Sequence, residues 1–237
     1  GIIPLSYFLR PNTSLLRLKR TRMEASPLIK ACVNGSSELM TNISSSIVSM
    51  LYNFQLIKFA GENGVAAYGV LMYVQFVFIA IFIGYAIGTA PIIGYHYGAG
   101  NHSELKNMLK KSLLIMGVLG VVMMFLAQIL AGSLARIFVG YDQELFDMTR
   151  HAFQIFSFAF ILSGINIFTS SFFTALNNGG VSAAISFLRT LVFQMLSVLI
   201  LPMLLGIDGI WMAITVAEVC ACLISVIFLF AKKNKYH

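Results

Sequence analysis

Charge is scarce in this sequence. Only 11% of its 237 residues are Asp, Glu, Lys or Arg, where an ordinary soluble domain carries about 25%. Acids are the scarcer sign, nine against sixteen Lys and Arg. So little charge excludes a disordered chain, which stays solvated through its polar and charged residues. With three cysteines the chain is no disulfide scaffold. Cys32 stands apart, and Cys220 and Cys222 are two residues from each other, on different sides of a helix. The absence of CxxC or Cys/His spacing excludes structural zinc and a redox motif. What is abundant is apolar surface, at 58% or about 137 residues. A bilayer-crossing helix takes about 20 such residues, so there is room for six spans and little else.

Apolar segments fall near 36–60, 66–94, 112–135, 151–175, 182–205 and 208–231. Each is long enough at about 1.5 Å per residue to cross about 30 Å. Turn chemistry separates them: GENG at 61–64, GAGNH at 98–102, GYDQE at 140–144, NNGG at 177–180 and GIDG at 206–209. The apolar stub 1–9 is too short to span and reverses the order of a secretory signal. It reads as the end of a preceding transmembrane helix, which makes the chain part of a longer protein. Residues 10–35 then form a basic connector, 36–231 a six-helix membrane lobe, and 232–237 a tail.

Six spans alternate the connections between two sides. One side collects Arg10, Arg17, Lys19, Arg20, Arg22, Lys30, Lys106, Lys110, Lys111, Lys232, Lys233 and Lys235, with only Glu24 and Glu104 as acids. The other collects Glu62, Asp142, Glu144, Asp147 and Asp208. The positive-inside rule makes the first side cytoplasmic. A nucleic-acid partner is excluded, because its footprint is one continuous basic face. The connector is either a plain cytosolic linker or a site for anionic lipid headgroups.

Polar residues within the spans are the functional candidates. Glu38, Asn42, Ser45, Ser49 and Asn53 are spaced 4, 3, 4 and 4, within an arc of about 80° of one helix. Lipid does not satisfy such a stripe. It is either a helix–helix interface or the wall of a hydrated cavity. Gly88, Pro91 and Gly94 weaken the second span, for bending or for close packing. Glu218 lies near the middle of the last span, where an ionised acid costs about 2.5–3.5 kcal/mol on insertion scales. Asn166 is mid-span in the fourth segment, and Arg189 lies inside the fifth. Counting from the helix ends puts Arg189 and Glu218 about 10 Å apart in depth. On that count they do not meet, and Arg189 snorkels to the interface or turns to Glu38. Glu218 is then a protonated acid inside the bundle or a proton or substrate group. Gln75 and Gln194 are further cavity candidates. No HExxH, GxSxG or Walker A pattern occurs, so no enzyme activity, metal or cofactor is expected. Without a nucleotide site, any transport by this chain would run on an ion gradient or passively unless a partner supplies ATP.

The stretch PIIGYHYGAG at 91–100, followed by LKNMLKKSL, resembles the second half of the multidrug and toxic compound extrusion (MATE) family, bacterial type. GENGVAAYGV at 61–70, FFTALNNG at 172–179, SFLRTLVFQ at 186–194 and GIDGIWMA at 206–213 continue the resemblance in order. It covers about 30 to 231. The resemblance implies an all-α, polytopic fold, one lobe of a twelve-helix, two-lobe transporter. The missing N-terminal lobe and the lipid bilayer are then partners, and a small organic substrate, often cationic, is exported from the plasma membrane in exchange for protons or sodium ions. Sodium-coupled members carry acids within the seventh and tenth helices. Here Asn166 stands in the tenth-helix region and Glu38 only at the entrance of the seventh, so the second-lobe cation site is incomplete. The alternatives are a lipid-linked sugar flippase of a related fold and a non-transporting scaffold, which needs no polar wall facing water.

Overall fold

The computed structural model describes residues 6–7 and 24–233, except for the Ser37 side chain. Most of the stub, most of the basic connector and the tail beyond Lys233 lie outside the described residues. The chain divides into two units, 1–32 and 33–237. In the first, the described residues 6–7 and 25–32 are helical.

The second unit is built from helices. They are α1 (Ala25–Gly98, which begins in the first unit), α2 (His102–Val139), α3 (Gln143–Phe156), α4 (Phe160–Ala175), α5 (Gly179–Phe187), α6 (Gln194–Leu205) and α7 (Ile207–Ala231). A short 3-10 turn, Ser157–Ala159, joins α3 to α4, and a π-helical segment, Leu188–Phe193, joins α5 to α6. Among the described residues, five continuous helical stretches are long and apolar enough to cross a bilayer. The first, α1, has 74 residues, about 110 Å of helix against about 30 Å of hydrocarbon. Its backbone breaks at Gly61, with φ 61° and ψ −150°. That gives two arms, 25–60 and 62–98, and restores the six expected segments.

The turn motifs do what their residues predict. Gly61, Gly100, Asn177 and Gly206 are the described residues with positive φ, and each lies in one of the motifs. Asn101 caps α2 by accepting from the Glu104 N–H, and Asp142 caps α3 by accepting from Glu144 and Leu145. The helices run further than the apolar segments. The stretch 102–111 forms the first turns of α2. Leu105 and Leu109 are buried there, while Lys106, Lys110 and Lys111 point outward.

Packing is that of a membrane bundle. The buried stripe of α2 runs Leu105, Leu109, Ser112, Met116, Gly120, Met123, Ala127, Ala131, Ala135 and Val139. Small residues along it let backbones approach. A Cβ on Gly120 would stand 2.6 Å from the Phe160 carbonyl oxygen. The outer face, with Leu114, Val118, Phe125 and Ile129, is exposed and apolar, as a lipid-facing surface is. Aromatic residues fill the centre: Phe82, Phe160, Phe168, Phe172 and Trp211 are nearly inaccessible. The helix continues unbroken through Pro91, and Gly94 lies close to the end of α4, near the Ala175 carbonyl.

Candidate functional site

Three helical segments bring polar groups together in the middle of the bundle. α4 contributes Asn166, the π segment Arg189, and α7 both Glu218 and Ser225. Glu218 and Ser225 are seven residues apart, so they lie on one face of α7. A π turn widens the helix by one residue and recurs at functional sites. Arg189 is its second residue.

Glu218 is 2% exposed and Asn166 is fully buried. Arg189 Nε donates to Glu218 Oε1 at 3.0 Å and to Oε2 at 3.1 Å, and Nη2 donates to Oε1 at 2.6 Å. Asn166 Nδ2 donates to Oε2 at 2.7 Å and to the Glu218 backbone carbonyl at 3.0 Å. Ser225 Oγ donates to Asn166 Oδ1 at 3.1 Å. A guanidinium fork on a carboxylate is among the strong hydrogen-bonded pairs. Here both charges are desolvated, with the Arg189 side chain 13% exposed.

The depth estimate that kept Arg189 and Glu218 apart is corrected by this contact. Helix α5 starts at Gly179 and not at 182, which places Arg189 about 15 Å from its end. Glu218 is about 20 Å from the end of α7 at Ala231. The long Arg189 side chain spans what remains. Arg189 does not turn to Glu38, which is exposed and makes no ion pair among the described residues.

A second polar group lies between α4 and α5. Ser170 Oγ is 2.9 Å from Ser182 Oγ and 3.0 Å from Ser186 Oγ, and Thr174 Oγ1 is 2.6 Å from Ser182 Oγ. Hydroxyl contacts of this kind join membrane helices. Elsewhere Gln55 Nε2 donates to the Val198 carbonyl at 3.2 Å, and Tyr85 OH donates to Ser112 at 3.0 Å. His151 Nε2 lies 2.9 Å from Asp208 Oδ1 in an exposed pair. None of these follows from sequence spacing alone. Ser225 does, because it repeats Glu218 after seven residues.

The polar stripe of α1 occupies its own face. The buried face of that arm is Ser44, Val48, Tyr52, Gln55 and Leu56. The stripe lies about 90° around the helix from it, and Leu39, Ile43, Ile47, Met50 and Phe54 lie opposite the buried face. Glu38, Asn42 and Ser45 are exposed, while Ser49 and Asn53 are half-buried. Asn42 Nδ2 donates to the Glu38 carbonyl, Ser45 to Thr41 and Asn53 to Ser49. These three donors are satisfied within their own helix, and the Ser49 hydroxyl is hydrogen-bonded to Tyr68. Gln75 and Gln194 are half-buried, and no hydrogen bond among the described residues joins them to Glu218. Gly88 and Pro91 are exposed.

Comparison with known proteins agrees with this architecture. A family model described as MatE matches residues 39–200. A curated relative, the probable multidrug resistance protein YoeA of Bacillus subtilis (strain 168), is 25% identical over 210 residues, covering 83% of this chain and 43% of its own. The crystal structure of a MATE protein in complex with MaL6 superposes with a TM-score of 0.88 at 20% identity, over 99% of this chain and 53% of that one. The outward-facing conformation of a multidrug resistance MATE family transporter gives 0.87 at 20% identity, over 99% and 52%. A MOP superfamily transporter from Pyrococcus furiosus gives 0.85 at 20% identity, over 98% and 53%. The chain spans about half the length of the relatives it matches.

Proposed function

The chain belongs to the MatE family, and on that premise we propose that it is the second six-helix lobe of a secondary active exporter. The whole transporter moves organic, often cationic, drugs or metabolites out of the cell by alternating access. Protons or sodium ions travel the other way. The name of the Bacillus subtilis relative supports the multidrug reading. The excess of Lys and Arg on one set of connections supports a plasma-membrane orientation with those ends in the cytoplasm.

The observation that carries this reading is the Arg189–Glu218 pair, two charges buried among apolar helices. Ionisable groups inside a membrane bundle are costly to insert and mark transport pathways and relays by default. Both Glu218 oxygens already accept hydrogen bonds from Arg189, and Oε2 also from Asn166. A sodium ion has to displace a guanidinium to reach them. A proton needs one oxygen only, and its arrival cancels the charge that holds Arg189. This favours Glu218 as a proton-exchanging group with Arg189 as its tethered counter-cation.

The test is dye efflux from cells expressing the two-lobe protein. Glu218→Gln is expected to reduce efflux driven by a pH gradient by about tenfold or more, with the protein still present in the membrane. Unchanged efflux assigns Glu218 to packing and removes the coupling role.

A further inference from the structure

The end of the bundle where α2 gives way to α3 holds two cavities that meet. One, of about 350 Å³, is lined by Gln128, Gly132, Ser133, Arg136, Arg150 and Gln154. Its neighbour, of about 450 Å³, shares Gln128 and Gln154 and is otherwise lined mainly by Ile155, Phe158, Met212 and Thr215 beside His151. The first exists because Gly132 and Ser133 have too little side chain to close the gap between α2 and α3.

The two cavities differ in chemistry. Arg136 in the last turn of α2 and Arg150 in α3 both face the first. Both are exposed, and neither forms an ion pair among the described residues. The Arg136 guanidinium lies 6.0 Å from the centre of the Phe146 ring. Most of the neighbouring acids are engaged elsewhere. Asp142 caps α3, Asp147 accepts from Gln143, and Asp208 pairs with His151. Glu144 lies six residues before Arg150, on another face of the helix.

Gln128 is eight residues before Arg136, about 12 Å along α2. Its Nε2 donates to the Gln154 carbonyl and to Ser157 Oγ, each at 2.7 Å. The groove therefore passes from two guanidiniums, over amides, to an apolar chamber. In that chamber the Thr215 hydroxyl is buried without a hydrogen-bond partner. Phosphate, ester carbonyls and acyl chain follow in the same order in an acidic glycerophospholipid. We propose that the joined cavities bind one anionic phospholipid. Its phosphate sits on Arg136 and Arg150, and an acyl chain lies along Phe158 and Met212. Two guanidiniums suit a phosphate, and the mostly apolar lining of the second cavity suits an acyl chain.

Inorganic phosphate shares the headgroup chemistry, so the experiment separates the two. The purified chain in neutral detergent is titrated with phosphatidylglycerol, phosphatidylcholine or inorganic phosphate. Bound lipid is counted by native mass spectrometry and the melting temperature is followed. Phosphatidylglycerol is expected to bind one per chain and raise the melting temperature, and the other two are not. Arg136→Gln with Arg150→Gln is expected to weaken binding by roughly tenfold or more. Gly132→Leu keeps both arginines and fills the groove. An added Cβ there meets nothing within 4 Å, so lipid-free melting is not expected to fall while binding is lost. Equal response to phosphatidylcholine overturns the proposal. So does equal protection by inorganic phosphate, which marks an ion site only. Should the double variant not fold, undiminished binding by Gly132→Leu overturns it alone.

Discussion

Glu218 offers both carboxylate oxygens to its neighbours, and one guanidinium takes the larger share of them. The sequence marks Asn166, Arg189 and Glu218 one by one, because polar groups inside apolar spans are conspicuous. That they converge was not legible. Depth along a helix is counted from its end, and the ends of α5 and α7 are hidden in runs with no sharp change of polarity. The π turn carrying Arg189 has no sequence signature either. Pairing has an energetic consequence that mutants reveal. Removing one partner of a buried pair leaves an uncompensated charge, typically about 3–5 kcal/mol. Arg189→Met is therefore expected to lower stability by about that amount. Adding Glu218→Gln removes the orphaned charge, so the double variant is expected to be more stable than Arg189→Met alone. Thermal unfolding of the four proteins in detergent gives the coupling. Additive effects of the two substitutions deny that the pair is coupled in the folded protein.

The helices themselves follow from their punctuation. Every described positive φ sits in a Gly- or Asn-bearing turn motif that the sequence displays. Extents were harder to read. The run 102–111 carries three lysines, and charge disguises a helix whose other face is Leu105, Leu109 and Ser112. Contacts between helices were harder still, because a glycine that permits close approach looks the same as one that does not. Gly120 and Gly132 both lie in α2, twelve residues apart. A Cβ at Gly120 runs into the Phe160 and Ile161 carbonyl oxygens, whereas at Gly132 it meets nothing within 4 Å. Gly120→Ala is thus expected to destabilise by about 1–3 kcal/mol through overpacking. Gly132→Ala is expected to be neutral or to stabilise by about 0.4–1 kcal/mol, since it restricts the unfolded chain. Melting temperatures of the two variants decide it, and equal losses deny a special closeness of α2 and α4.

At the scale of the molecule, one face of α1 needs a reason that the unit itself does not supply. The arm 25–60 buries Val48, Tyr52 and Leu56 and exposes both a polar and an apolar face. A bilayer covers the face bearing Ile43 and Ile47. It does not cover Asn42 and Ser45, whose donors are already turned back onto their own helix. The chain spans about half the length of its relatives, and we propose that in the two-lobe transporter the polar face borders the cleft between lobes. Accessibility to water separates this from a lipid-buried or interface-buried stripe. In a background with Cys32, Cys220 and Cys222 replaced by Ala, single cysteines are placed at positions 42, 45, 43 and 47 in the membrane-embedded protein. A small, charged thiol reagent reacts with thiolate in water and not in hydrocarbon. Asn42→Cys and Ser45→Cys are expected to label readily, and Ile43→Cys and Ile47→Cys at least about tenfold more slowly. A transported compound added in excess is expected to slow the first pair alone. Equal labelling of both faces removes the cleft assignment, and no labelling of either turns the polar stripe into a packed interface.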